Sequence, residues 1–353
     1  MMVGLPQVNI IFQSLGATAF SRGARGVVAL ILKEATLTGT FTLTKSTEAP
    51  KGLTDANKKQ VEFTFMGAAS TPSKVILVVV KNDATIETTL TELEKVRFDY
   101  LVYPDITEEE KSKVSTWIKG LRKIGKMAKA VLPSHAADHE AVINFTASEI
   151  KVGTTEYTTA QYCSRIAGLI AGTNPSISVT YQPLMEVDSV KSMTKDELDK
   201  AIDKGEFVLF HDGEKVKVGR GVNSLVTTTA EKGEDFKKIK VVEILDMWYS
   251  DIRRTLEDNY IGKYPNSYDN KVLLIMAIKA YNTGLETDAL LDKGSEIGID
   301  LDKQRNFLEG IGVDTSKMTE QQLKEANTRS KVFLRGKLRP LDAMEDIEIT
   351  IGV

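Results

Sequence analysis

Between residues 26 and 145, apolar runs of strand length alternate with amphipathic stretches, and few architectures satisfy that rhythm. The runs are "GVVALILKE" (26–34), "KVILVVV" (74–80), "FDYLVYP" (98–104), "MAKAVLP" (127–133) and "EAVINF" (140–145). Near-continuous apolar character predicts buried strands rather than strands with one wet face. The stretches between them have helical spacing. "TDANKKQVEFTFMG" (54–67) places Val61 and Phe65 on one face, and "TIETTLTELEKV" (85–96) repeats at Ile86, Leu90 and Leu93. A Thr107/Glu110 capping box opens a helix through Val114, Trp117, Ile118 and Leu121. Helices alternating with short apolar strands predict βαβ units and a partly parallel sheet. "TGTFTLT" (38–44) alternates and adds a further strand.

Beyond residue 145 the pattern changes. A helix around Cys163 groups Cys163, Ile166, Ala167 and Ile170, and its Ala167, Gly168, Ala171 and Gly172 permit close packing. A Thr194/Glu197 capping box starts a helix to about Lys204. "GEFVLFHDGEKVKVGRG" reads as a hairpin turning at Asp212-Gly213. The longest helix runs within 236–263, with Leu245, Tyr249, Ile252, Leu256 and Tyr260 as its buried face and Asp246, Arg253, Arg254, Glu257 and Asp258 outside. A helix over 267–285 is apolar nearly all round, and a short polar one over 319–329 carries a Thr319/Gln322 box. In "KVFLRGKLRP", Val332, Leu334 and Leu338 stand against Arg335, Lys337 and Arg339.

Both ends alternate with period 2. "GLPQVNIIFQS" puts Val8, Ile10 and Phe12 on one side, and "EDIEITIGV" does the same with Ile347, Ile349, Ile351 and Val353. The expected fold class is therefore mixed α/β and multi-domain: partly parallel sheets flanked by helices, with extended β-arms at both termini. Expected boundaries are an arm and linker (1–25), a small α/β domain (26–85), an α/β middle domain (86–232), a C-terminal domain of long helices plus sheet (233–345) and the closing arm (346–353).

Several function classes are disfavoured. The 353 residues carry a net charge of −3 without a basic stripe, which argues against nucleic acid as a main partner. The most apolar run, "VILVVV" (75–80), is far short of a bilayer span, and the weak "VNIIF…ATA" pattern near the start lacks the basic flank of a signal peptide. The single cysteine rules out an intramolecular disulfide, and Cys163 reads as a small buried apolar residue.

"HAADH" spaces His135 and His139 four apart around Asp138, a metal-like pair only on a helix that Pro133 disfavours. "GRGVNS" (219–224) half-matches a phosphate loop, but Ser224 replaces the third glycine and a β-branched segment follows. Asp251 and Arg254 read as a surface ion pair. No catalytic set assembles, so no enzyme, cofactor or metal site is expected.

An α/β chain with strand-like arms and no reactive set reads as a building block. An extended arm can join an exposed sheet edge on a neighbour. If donor and acceptor surfaces differ, the contact is head-to-tail and generates rings or open helices.

Four stretches, "YCSRIAGLIAGTNPSISVTYQPL" (162–184), "GRGVNSLVT" (219–227), "FKKIKVVEILDMWYSDIRRTLEDNYIGKYPNS" (236–267) and "LRGKLRPLDAMEDIEITIGV" (334–353), add a family signal. Across most of its length the chain resembles the contractile-tail sheath proteins of bacteriophages and phage-tail-like bacteriocins. Its small amino-terminal domain is shorter than in many of them.

The resemblance implies subunits stacked as hexameric rings, or a six-start helix, around a tail tube, with both arms joining a sheet in the C-terminal domain of neighbours. It implies the tube, baseplate and tail terminator proteins as partners, no membrane insertion, no cofactor, and assembly in the host bacterial cytoplasm. It further implies that the 319–329 helix faces the tube, with Lys324, Glu325 and Arg329 as polar contacts. "SLGATAFSRGARG" (14–26) and "PLDAME" (340–345) would serve as hinges. The alternatives are another tail or baseplate structural protein, or a nucleotide-using α/β enzyme.

Overall fold

The structure is a computed structural model that describes residues 19–23 and 25–352. The chain divides into two units. Among the described residues, the larger holds 22–23, 25–251, 288–292 and 340–352, and the smaller holds 19–21, 252–287 and 293–339.

In the larger unit the alternation of apolar and amphipathic segments becomes one sheet. Its first elements are β1 (Val27–Glu34), β2 (Gly39–Leu43), α1 (Asp55–Met66), β3 (Lys74–Lys81), α2 (Ile86–Leu93), β4 (Tyr100–Val102), α3 (Glu108–Lys123), β5 (Lys129–Pro133) and β6 (Val142–Phe145). Then come β7 (Ile150–Val152), β8 (Thr155–Tyr157), α4 (Thr159–Ala171), α5 (Lys195–Asp203), β9 (Glu206–Phe207), β10 (Leu209–His211) and β11 (Val216–Val218). The seven-stranded order is β2-β3-β1-β4-β5-β6-β9. Every neighbouring pair is parallel except β2–β3.

Strand β1 is central, with Val28 opposite Val75 on one side and Tyr100 on the other. Its alternate residues feed two cores. Val28, Leu30 and Leu32 pack with Val61 and Phe63 of α1 and Tyr162 and Ile166 of α4. Val27, Ala29 and Ile31 pack with Leu90 and Leu93 of α2 and Val114 and Ile118 of α3. Helices thus cover both faces, which is why these strands are apolar throughout.

Helices α1 and α4 meet closely. A Cβ on Gly168 would lie 2.0 Å from the Thr64 carbonyl oxygen, so only glycine fits there. The Thr107/Glu110 and Thr194/Glu197 capping boxes both form.

The first half of α6 (Ile239–Asn259) is fastened to this sheet by buried charge. Lys129 Nζ lies 2.8 Å from both Glu243 and Asp246, and Arg122 makes two 2.8 Å bonds to Asp246. Arg25 pairs with Glu243, and the Tyr100 hydroxyl donates to Glu243 at 2.5 Å. Burial works against the charge of Asp246, but Lys129 and Arg122 hold its carboxyl below the usual range. Burial likewise opposes the Lys129 charge, and Asp246 and Glu243 outweigh it, leaving the pKa raised.

The smaller unit contains the end of α6, α7 (Tyr268–Thr287), β12 (Glu296–Ile299), α8 (Leu301–Gly310), α9 (Glu320–Glu325) and β13 (Leu334–Lys337). Strands β12 and β13 form a two-stranded antiparallel sheet, with Ile297 opposite Gly336.

Five expectations change. The boundary at 85/86 is absent, because β1 bonds to strands on either side of it. The 206–218 hairpin is divided: β10 and β11 pair across Asp212-Gly213, but Glu206–Phe207 joins the main sheet beside β6. On α6, Tyr249 is exposed while Asp246 and Asp251 are buried, since ion pairing, not apolar periodicity, selects the inner face there. Asp251 accepts a 2.9 Å bond from the Gly23 amide rather than lying on the surface. The 319–329 helix ends at Glu325, and Arg329 lies beyond it with φ of 55°.

Candidate intersubunit surfaces

Residues 340–346 are pinned to the larger unit. The Leu341 amide donates to the Leu290 carbonyl at 2.9 Å, and the Lys240 ammonium donates to the Leu341 carbonyl. Lys238 pairs with Asp342. The Glu345 side chain is almost wholly enclosed. Its Oε1 accepts from Ser178 at 2.9 Å and Thr180 at 2.5 Å, while Oε2 lies 3.5 Å from Lys238 Nζ and 3.7 Å from Arg220 Nε. Arg220 Nη2 also bonds Asp346 at 2.5 Å. The expected hinge at "PLDAME" is therefore a pinned segment, held by three cations and two hydroxyls.

After Asp346 the chain changes character. Residues 347–352 belong to no strand of the described chain, although their alternation is that of one. Ile347, Ile349 and Ile351 are 74%, 75% and 79% exposed. Val353, and the opposite arm's Val8, Ile10 and Phe12, lie outside the described residues.

The smaller unit offers an unfinished sheet. Among the described residues β12 and β13 pair only with each other, so each keeps one open edge. Beside them is a groove of about 660 Å³, lined by Asn282, Thr283 and Glu286 of α7 and by Ile297, Ile299 and Gly336 of the two strands. On α9, Lys324 bonds Glu320 at 2.5 Å and Glu325 accepts from Gln321 at 2.6 Å. Asn266 fixes the turn after it by donating to the Arg329 carbonyl at 2.7 Å and the Lys331 carbonyl at 2.9 Å.

The remaining sequence candidates are structural. Residues 135–138 form a loop, in which the Asp138 carboxylate accepts from the Val226 and Thr227 amides at 2.7 and 2.9 Å. Burial pushes His139 down from 6.5 to about 4, although Glu140 beside it acts in the opposite sense. Among the described residues, no three His, Cys, Asp or Glu side chains converge to hold a metal. "GRGVNS" is an extended link whose Ser224 amide donates to the Val142 carbonyl at 2.8 Å. The Cys163 thiol donates to the Thr159 carbonyl, and burial pushes its pKa far up.

The strand order reverses at β1/β4, where sheets of this topology bind phosphates at their carboxyl ends. Here the Glu34 carboxylate at the end of β1 already occupies the N-terminus of α1. It accepts from the Thr54 backbone amide at 2.6 Å, the Thr54 hydroxyl at 2.9 Å and the Asn57 side-chain Nδ2 at 2.8 Å.

Sequence reasoning found the exposed isoleucines but missed the pinned root beneath them. The available signal was charge: Asp342, Glu345 and Asp346 precede the arm, and Arg220, Lys238 and Lys240 lie far upstream. Nothing in one sequence pairs the two groups.

Comparisons with known proteins bear on the same regions. The family model for the phage tail sheath protein central domain matches residues 80–224, and the phage tail sheath C-terminal domain matches 231–353. The chain is 42% identical over 356 aligned positions to the tail sheath protein of Clostridium phage phiCD119, covering 99% of each. A crystal structure of a sheath tail protein from Desulfitobacterium hafniense matches with a TM-score of 0.71 at 19% identity, covering 84% of this chain and 94% of that one. The helical sheath of the anti-feeding prophage in its contracted state matches with a TM-score of 0.73 at 14% identity over 99% of both chains. The chain belongs to the phage tail sheath protein family, as a structural subunit of a contractile tail sheath.

Proposed function

We propose that copies of this chain hold one another by strand exchange, the arms of one subunit extending the β12–β13 sheet of a neighbour. The carrying observation is the row of Ile347, Ile349 and Ile351, about three-quarters exposed, alternating in sequence as a strand does, and in no strand among the described residues. Burying three isoleucines yields roughly 1.5–3 kcal/mol each, enough to hold a short arm once its backbone also pairs. The two-stranded sheet and the groove beside it supply an acceptor of matching kind. Val8, Ile10 and Phe12 form the second arm of the same scheme.

The sheath built this way, as hexameric rings or a six-start helix, surrounds a tail tube and ends on baseplate and terminator proteins. On triggering it shortens and drives the tube through a bacterial envelope. Lys324, Glu325 and Arg329 face the tube, where polar contacts release readily. Contraction draws on new subunit contacts, with the extended form kinetically trapped. The particle assembles in the host cytoplasm.

The Glu34 carboxylate supports a non-catalytic reading. Its negative charge and its bond from the Thr54 backbone amide stand at the helix N-terminus where a nucleotide phosphate would have to bind.

Deleting residues 347–353 tests the arm. The truncated subunit is expected to fold normally and to form no striated tubes by negative-stain microscopy. Normal tubes from truncated protein would overturn the proposal.

A further inference from the structure

The exposed arm and its buried root meet within two residues: Glu345 is enclosed and Ile347 is open. The root is built from four separate pieces of chain. Ser178 and Thr180 come from the loop after α4, Arg220 from the segment after β11, Lys238 and Lys240 from the approach to α6 and its first turn, and Leu290 and Leu291 from residues 288–292. The loop itself is constrained. The Gly221 amide donates to Thr180 Oγ1 at 2.9 Å, and Tyr181 adopts φ of 57°. A non-glycine residue in that region is strained and persists only where its surroundings fix it. A carboxylate that accepts two hydroxyl bonds between two cations is strongly localised. A hinge has none of these features.

We propose that Glu345 and its pocket are a fixed root that sets the length and exit direction of the C-terminal arm, so that the exchangeable segment begins at Ile347. The proposal rests on the strand-exchange reading and adds a geometric constraint to it. Seven residues, 347–353, span at most about 23 Å at 3.3 Å per residue. The part of the neighbour's edge that accepts Ile347, Ile349 and Ile351 must lie within that reach of Asp346 in every state in which these residues stay inserted. If the segment flexed from Pro340, seven further residues would be free, the reach of Ile347–Ile351 would grow by about the same length again, and the arm would tolerate lattices that the rooted arm forbids. The root is thus a device for lattice specificity: it converts a tether into a strut.

The test uses the full chain with Glu345→Ala, and with Glu345→Gln, which keeps the shape and drops the charge. In the unassembled protein, amide hydrogen exchange at Leu341 is expected to speed up at least tenfold in Glu345→Ala and less in Glu345→Gln. In assembled material, Glu345→Ala is expected to keep polymerising but to lose the uniform axial repeat seen in electron micrographs. Unchanged exchange at Leu341, together with a repeat identical to the parent's, would overturn the root while leaving the arm intact. Normal tubes from the 347–353 deletion would instead overturn the arm, and the exchange measurement would still judge the root. A Glu345→Ala chain that fails to fold leaves Glu345→Gln to decide by the same two measurements.

Discussion

Strand β1 has bonded neighbours along both edges and is buried at seven of its eight residues, whereas among the described residues β12 and β13 have only each other. The large sheet is closed over by helices on both faces and tied to α6 by a buried ionic network. The small sheet presents half-buried and exposed residues and, among the described residues, two unpaired edges. A two-stranded sheet is marginal in water on its own, and an open edge is a template for another strand. The contrast matches the two tasks that the strand-exchange proposal gives the subunit: a well-packed body, and a small sheet that another copy would complete.

The largest expected effect comes from the incomplete side, since removing residues 347–353 abolishes tubes outright while the melting temperature stays near that of the parent. A parallel fall in stability would break the comparison, because the arm would then belong to its own subunit's core.

On the complete side, Lys129→Ala leaves the Glu243 and Asp246 carboxylates buried beside each other. It is expected to cost about 3–5 kcal/mol in urea denaturation. A loss below about 1 kcal/mol would mean that the network merely solvates itself.

Gly168→Ala tests the close contact of α1 and α4, because the added carbon would meet the Thr64 carbonyl oxygen at 2.0 Å. The expected loss is roughly 1–3 kcal/mol in thermal or urea melts, with assembly spared at low temperature.

The smallest effect is in pH. His139 binds its proton at about 4 in the folded chain against 6.5 as its ordinary value, so between those values the unfolded state holds more protons. Stability present above pH 6.5 is therefore lost as pH falls toward 4, and no more is lost to this group below that. The partial exposure of His139 limits the loss to on the order of 1 kcal/mol. His139→Gln should flatten that part of the stability–pH curve, and an unchanged slope would assign it to the carboxylates instead.

How much of this could be read in the sequence depended on what kind of interaction made each feature. The strands of the large sheet were legible because burial on both faces leaves a continuous apolar run, as in Val75–Val79. Strand order was not, since nothing in "GVVALILKE" says that it pairs with both residues 74–81 and residues 100–102. The inner face of α6 was misread at Asp246 because a buried carboxylate looks like a solvated one until Lys129 and Arg122 are placed beside it. The hairpin of β7 and β8 escaped notice because its three-residue strands carry Lys151, Thr155 and Glu156. Of the proposed interaction surface, the exposed isoleucines were visible as alternation. The pinned root was not, because its parts come from four distant segments.

The central position of β1 also matters before the molecule is finished. On the ribosome, Val27–Leu32 emerges well ahead of β3, which begins at Lys74, and of β4, which begins at Tyr100. At about 5–20 residues per second of synthesis, an apolar hexapeptide stays unpaired for seconds. Yield in the cell is thus tied to how fast translation passes residues 35–81, and to how well chaperones shield "VVALIL" until its partners arrive.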